Sequence, residues 1–68
     1  NKYKTAISYF DKALEIATLD TEVLILKANA HYFLGENKQA ISCCNKIKEI
    51  DSKNKAVTEL LFKIESVK

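Results

Sequence analysis

The sequence predicts an all-α chain of four helices, antiparallel helix-turn-helix units stacked as an α-solenoid, and three observations predict it. Of the 68 residues 47% are hydrophobic and 29% are charged, one is Gly and none is Pro. That is too apolar for disorder and too poor in turn formers for a many-stranded β protein. Apolar residues recur at three and four positions through most of the chain, the period of a helix with one buried face. The chain also superimposes on itself at a shift of 34. Lys4 falls on Lys38, Ala6 on Ala40, Ile7 on Ile41, Ser8 on Ser42, Lys12 on Lys46, Glu15 on Glu49 and Ile16 on Ile50, and the same shift brings Val23 onto Val57 and Leu26 onto Leu60. A period of about 34 residues is that of a helix-turn-helix repeat.

The first helix carries Tyr3, Ala6, Ile7, Phe10, Ala13, Leu14 and Ala17 on one side, with Lys2, Lys4, Ser8, Asp11, Lys12 and Glu15 on the other. It is amphipathic and lies on the outside. Asp20 is placed to cap the second helix by accepting from its unpaired N–H groups, and Glu22 in the first turn suits the helix dipole. From Val23 to Leu34 the only polar residues are Lys27, Asn29 and His31, with Tyr32 counted as apolar. Such a helix needs cover on more than one side and belongs inside. Gly35, the sole glycine, stands where the pattern stops and suits a left-handed helix end. The third helix repeats the first, with Ala40, Ile41, Cys43, Cys44, Ile47 and Ile50 as its stripe. Asp51-Ser52-Lys53-Asn54 is a polar connection, and Asn54 caps a fourth helix whose stripe is Val57, Leu60, Leu61, Ile64 and Val67. The order is outer, inner, outer, inner.

Charge and cysteine content narrow the function. The net charge is +2 with signs interleaved, and every basic residue is Lys, which removes the Arg side chain best suited to phosphate and base recognition. Nucleic acid is not an expected partner. The longest aliphatic run, Val23-Leu24-Ile25-Leu26, falls far short of the roughly 20 residues of a membrane span. The expectation is a soluble chain without membrane contact. Cys43 and Cys44 are adjacent, and neighbours on a helix diverge by about 100°, so they are read as reduced thiols in a cytoplasmic, reducing compartment. With no initiator Met and no signal segment, the chain reads as a piece of a longer one.

At the level of motifs the chain resembles the tetratricopeptide repeat family over its whole length. The first helix has the alternating aromatic and small residues Tyr3, Ala6, Phe10 and Ala13, and then come Leu24, Ala28, Leu34-Gly35 and Ala40 in the family's register. The chain departs from the family at His31, Asn37, Cys44, Ile47, Thr18 and Ser52. Ile47 for a small residue and Cys44 for a large one are three apart, so a size exchange between them preserves core volume in part. The resemblance implies a single segment: an outer helix of one repeat at 1–20, one complete repeat at 21–54, and at 55–68 the inner helix of the next or a capping helix. It also implies protein binding in a concave groove lined by the inner helices. The groove residues it points to are Glu22, Ile25, Asn29, Tyr32 and Phe33, with Ala56, Glu59 and Lys63 on the last helix. A side-chain amide such as that of Asn29 can hold a peptide backbone by donating and accepting at once. The chaperone-binding carboxylate clamp of one subclass is disfavoured, because Leu26, Ala56 and Leu60 occupy positions where it requires Asn, Lys and Arg.

No catalytic, cofactor or metal site is expected. His31 is the only imidazole, no Gly-rich loop is present, and adjacent cysteines point apart, so His31 is expected at an interhelical crossing rather than on a metal. Two functions satisfy these features. One is a non-enzymatic scaffold or adaptor that binds a peptide or helix of another protein in its groove. The other is a structural assembly element, in which Tyr3 and Phe10 at one end, and Leu61 and Phe62 at the other, mediate self-association or incorporation into a larger complex.

Overall fold

The computed structural model describes residues 2–17 and 20–66, so Thr18 and the Val67 position of the last stripe lie outside the described residues. Four helices follow in order: α1 (Lys2–Ile16), α2 (Thr21–Phe33), α3 (Asn37–Ile50) and α4 (Lys55–Ser66). Their ends are set by local chemistry. Asp20 is extended, and its carboxylate accepts from the N–H groups of Glu22 at 3.0 Å and Val23 at 3.3 Å. Asn54 does the same for α4, its Oδ1 accepting from Val57 N–H at 3.2 Å. Gly35 has φ of 78°, the one positive φ among the described residues. Its lack of a Cβ lets the chain reverse there, while Glu36 N–H donates to the carbonyl of His31.

The apolar all-round character of α2 decides the arrangement. It packs on α1, α3 and α4; α3 also packs on α4, while α1 reaches neither α3 nor α4. The result is a slab, 32 × 29 × 15 Å. The core is made by Leu24 and Ala28 of α2, Ala40, Cys43, Cys44 and Ile47 of α3, and Val57, Leu60 and Ile64 of α4. Ala28 and Ala40 are wholly buried, and two such small residues let neighbouring helices approach closely. Cys44 and Ile47 are wholly buried as well. Each large side chain in this cluster contributes about 1.5–3 kcal/mol by leaving water.

Two stripes are narrower than the spacing suggests. No residue of α1 is fully buried, and only Leu14 of its stripe reaches the core cluster. The reason is topological: α1 has one neighbour, so half of its apolar face stays open. Ile50 is 39% exposed, because it is the last residue of α3 and has no following turn to shelter it. Both cysteines are free thiols and both are buried. Ala40, Cys43, Cys44 and Ile47 stand at the i, i+3, i+4, i+7 positions of one broad ridge, so two side chains that diverge still fall within it. Burial pushes both thiols above their ordinary pKa. At Cys43 the charge of Asp11 adds to this and Lys27 and Lys46 oppose it; at Cys44 the neighbouring Cys43 adds and Lys48 opposes.

Two outcomes follow from these contacts. Asp20→Ala removes the only side-chain acceptor for two α2 N–H groups and is expected to cost about 1 kcal/mol in chemical denaturation followed by circular dichroism. Because folding raises both thiol pKa values, their contribution to stability is fully present below the unfolded value of 9.0 and is lost as pH rises through the folded values. A denaturation midpoint that falls above that pH, and falls less in a Cys43→Ala/Cys44→Ala variant, is the expected result.

Candidate protein-binding surface

The residues expected to line a groove occupy the two inner helices, which lie against one another. They do not share one environment. Glu22, Glu59 and Lys63 are exposed. Ile25 and Tyr32 are half-buried and pack against the core cluster, which ties them to the fold itself. Asn29 is also half-buried, and its Nδ2 donates to the carbonyl of Ile25 at 3.1 Å. One of the two amide N–H donors is therefore turned back on its own helix.

Phe33 is 62% exposed, yet it is not an isolated ring. It stacks on Tyr3 with centroids 5.3 Å apart and planes 21° apart, and it meets Tyr32 at 5.6 Å in a tilted arrangement. Sequence reasoning put Phe33 in the groove and Tyr3 at an open end. In the structure they form one contact across the α1–α2 seam. Beside them Tyr3 and Phe10 of α1 and Leu26, Asn29 and Ala30 of α2 enclose an almost wholly apolar hollow of about 210 Å³. Leu26, 51% exposed, lines this hollow and lies outside the set that spacing marked. The 34-residue superposition carried no signal for it, because its counterpart is also Leu and that residue, Leu60, is 5% exposed. The same repeat position is covered in one helix and open in the other.

Polar links fix the seams around this surface. Lys27 Nζ pairs with Asp11 Oδ1 at 2.5 Å, joining α2 to α1. His31, 9% exposed, has its Nδ1 2.8 Å from Glu36 Oε1. Glu36 sits at the start of α3 without capping it, because its carboxylate is committed to the imidazole. Among the described residues no three His, Cys, Asp or Glu side chains converge on a point suited to a metal ion, and no helix is long and apolar enough to cross a membrane.

The sequence model of the tetratricopeptide repeat family matches residues 1–64. The chain belongs to the tetratricopeptide repeat family. No curated protein and no solved structure matches it. Tetratricopeptide repeats typically act as non-enzymatic modules of protein–protein interaction, and a surface of exposed charges, an apolar hollow and stacked aromatic rings is in keeping with that class of work.

The Tyr3–Phe33 stack has a measurable consequence for this repeat pair. A double-mutant cycle of Tyr3→Ala and Phe33→Ala, read by thermal or denaturant unfolding, is expected to give a coupling of about 0.5–1.5 kcal/mol.

Proposed function

We propose that this chain is a scaffold or adaptor segment that binds a peptide or helix of another protein across the inner helices α2 and α4. On that assignment residues 1–20 are the outer helix of one repeat, 21–54 a complete repeat, and 55–68 the next inner helix or a capping helix. The observation that carries the proposal is the contact between α2 and α4. It brings side by side two helices that expose Glu22, Glu59 and Lys63, and a partner segment laid along both would meet these charges. Partner charge is read by the carboxylates and the ammonium, and apolar anchoring by Phe33 and the flank of Tyr32. Asn29 keeps its carbonyl oxygen for a partner N–H. The clamp for acidic chaperone tails is disfavoured by Leu26, Ala56 and Leu60, none of which holds a carboxylate. Two reduced, buried cysteines support an intracellular, reducing compartment.

A second role, as a structural assembly element, is favoured by a separate observation: Tyr9 and Phe62, on the first and last helices, are 66% and 72% exposed. Covering such rings with a partner removes apolar surface from water, which favours association.

The groove is tested by affinity capture from cell lysate with the chain and with a Glu22→Ala/Glu59→Ala/Lys63→Ala variant. These three residues are exposed, so the variant keeps the helical circular dichroism of the parent. Substitution of Ile25 or Phe33 would mix binding with packing. Weakening of one specific partner by about tenfold or more supports the groove. Undiminished capture of every partner rules it out.

A further inference from the structure

The 34-residue superposition matches α2 to α4 step by step, and the two helices differ where their packing positions do not. Val23 and Leu26 recur as Val57 and Leu60, whereas Ile25 becomes Glu59 and Asn29 becomes Lys63. Both helices turn back on α3 through short connections, so they run in the same direction, and they touch one another. Ile25, Asn29 and Phe33 stand at every fourth position of α2, and Glu59 and Lys63 repeat the first two of those steps on α4. Four residues advance a helix by about 6 Å. In an extended chain the side chains on one face are two residues apart, and two residues span about 6.6 Å. A peptide laid along both helices brings every second side chain to the next step.

Each step has its own chemistry. At the first an exposed carboxylate, Glu59, stands at the position of half-buried Ile25. At the second an exposed ammonium, Lys63, stands at the position of half-buried Asn29. At the third the ring of Phe33 is exposed. Glu59 and Lys63 are one turn apart in the order that favours a pair on a single helix, yet among the described residues no ion pair joins them. Each charge is open to a partner of opposite sign. Asn29 separates an extended partner from a helical one. Its Nδ2 is committed to the Ile25 carbonyl at 3.1 Å, which leaves Oδ1 as an acceptor. An extended backbone has unpaired N–H groups to offer that oxygen, whereas a helix keeps its own bonded.

Resting on the groove reading above, we propose that the occupant is an extended peptide with a basic, an acidic and an apolar side chain at alternate positions. The base meets Glu59, the acid meets Lys63 and the apolar group meets Phe33. The middle position is the discriminating one, since an acid there is attracted by Lys63 and a base is repelled.

The experiment is a phage-display selection of random short peptides on the immobilised 68-residue chain, run in parallel on the charge-exchanged variant Glu59→Lys/Lys63→Glu. Both substitutions are at exposed positions, so the helical circular dichroism of the parent is expected to persist. The expected result on the parent is enrichment of base, acid and apolar residue at alternate positions, in either chain direction, with the acid in the middle. On the variant the middle residue is expected to become basic. A peptide selected on the parent is expected to lose about tenfold or more in affinity for the variant by fluorescence anisotropy, because both of its charges then face like charges. Enrichment without the alternating pair, enrichment at the four-residue spacing of a helix, a middle residue that ignores the charge exchange, or no enrichment each overturns the proposal. The groove reading fails separately. It falls when lysate capture is indifferent to Glu22→Ala/Glu59→Ala/Lys63→Ala, whereas a partner lost in that variant whose docking segment lacks the alternating pattern keeps the groove and overturns the motif.

Discussion

A helix that is apolar on nearly every side cannot stand at a surface, and the placement of every other element is an answer to that constraint on α2. One neighbour would leave most of its apolar circumference in water; three neighbours bury Leu24, Ala28 and Ala30 and leave Leu26 and Phe33 exposed. α1 takes the side of Leu26 and Ala30, α3 takes the side of Leu24 and Ala28, and α4 closes against both α2 and α3. The close approach of α2 and α3 rests on Ala28 and Ala40, each with no exposed surface. A larger residue at either would push the two helices apart and open the space that Cys44 and Ile47 now fill.

What was legible in the sequence is what depends on near neighbours in the chain. Asp20 and Asn54 cap the helices that follow them, and Gly35 ends α2, because a cap needs only a side chain and the next three N–H groups. The inner character of α2 was legible for a similar reason, since it is a property of thirteen consecutive residues. The candidate surface was less so. That Ile25 and Tyr32 lean on the core while Glu22 and Lys63 do not depends on the rotation of α2 and α4 against their neighbours. The Tyr3–Phe33 stack and the His31–Glu36 contact depend on side-chain directions at helix ends. The exposure of Ile50 depends on where a helix stops. None of these is a matter of spacing.

The repeat is imperfect in an informative way. Leu26 and Leu60 are the same residue at the same repeat position, and their different exposure reflects only what lies in front of them. Ala28 and Phe62 differ in kind, and there the chain has changed the residue at an equivalent position. Identical positions describe what any repeat needs in order to stack. Altered ones mark where two repeats differ in what they pack against, so function is sought among the second group.

The lack of any fully buried side chain in α1, together with its single neighbour, gives the molecule a gradient along its length. Energy in stacked repeats is a sum of nearest-neighbour terms, so α1 opens without disturbing α3 or α4, whereas opening α2 disturbs all three. Amide protons of α1 would then exchange with solvent long before those of α2 and α3. Folding would begin at the α2–α3 hairpin, where the paired residues are close in sequence, and spread to either side. These helices would then open stepwise from the margins of the stack rather than as a single cooperative globule.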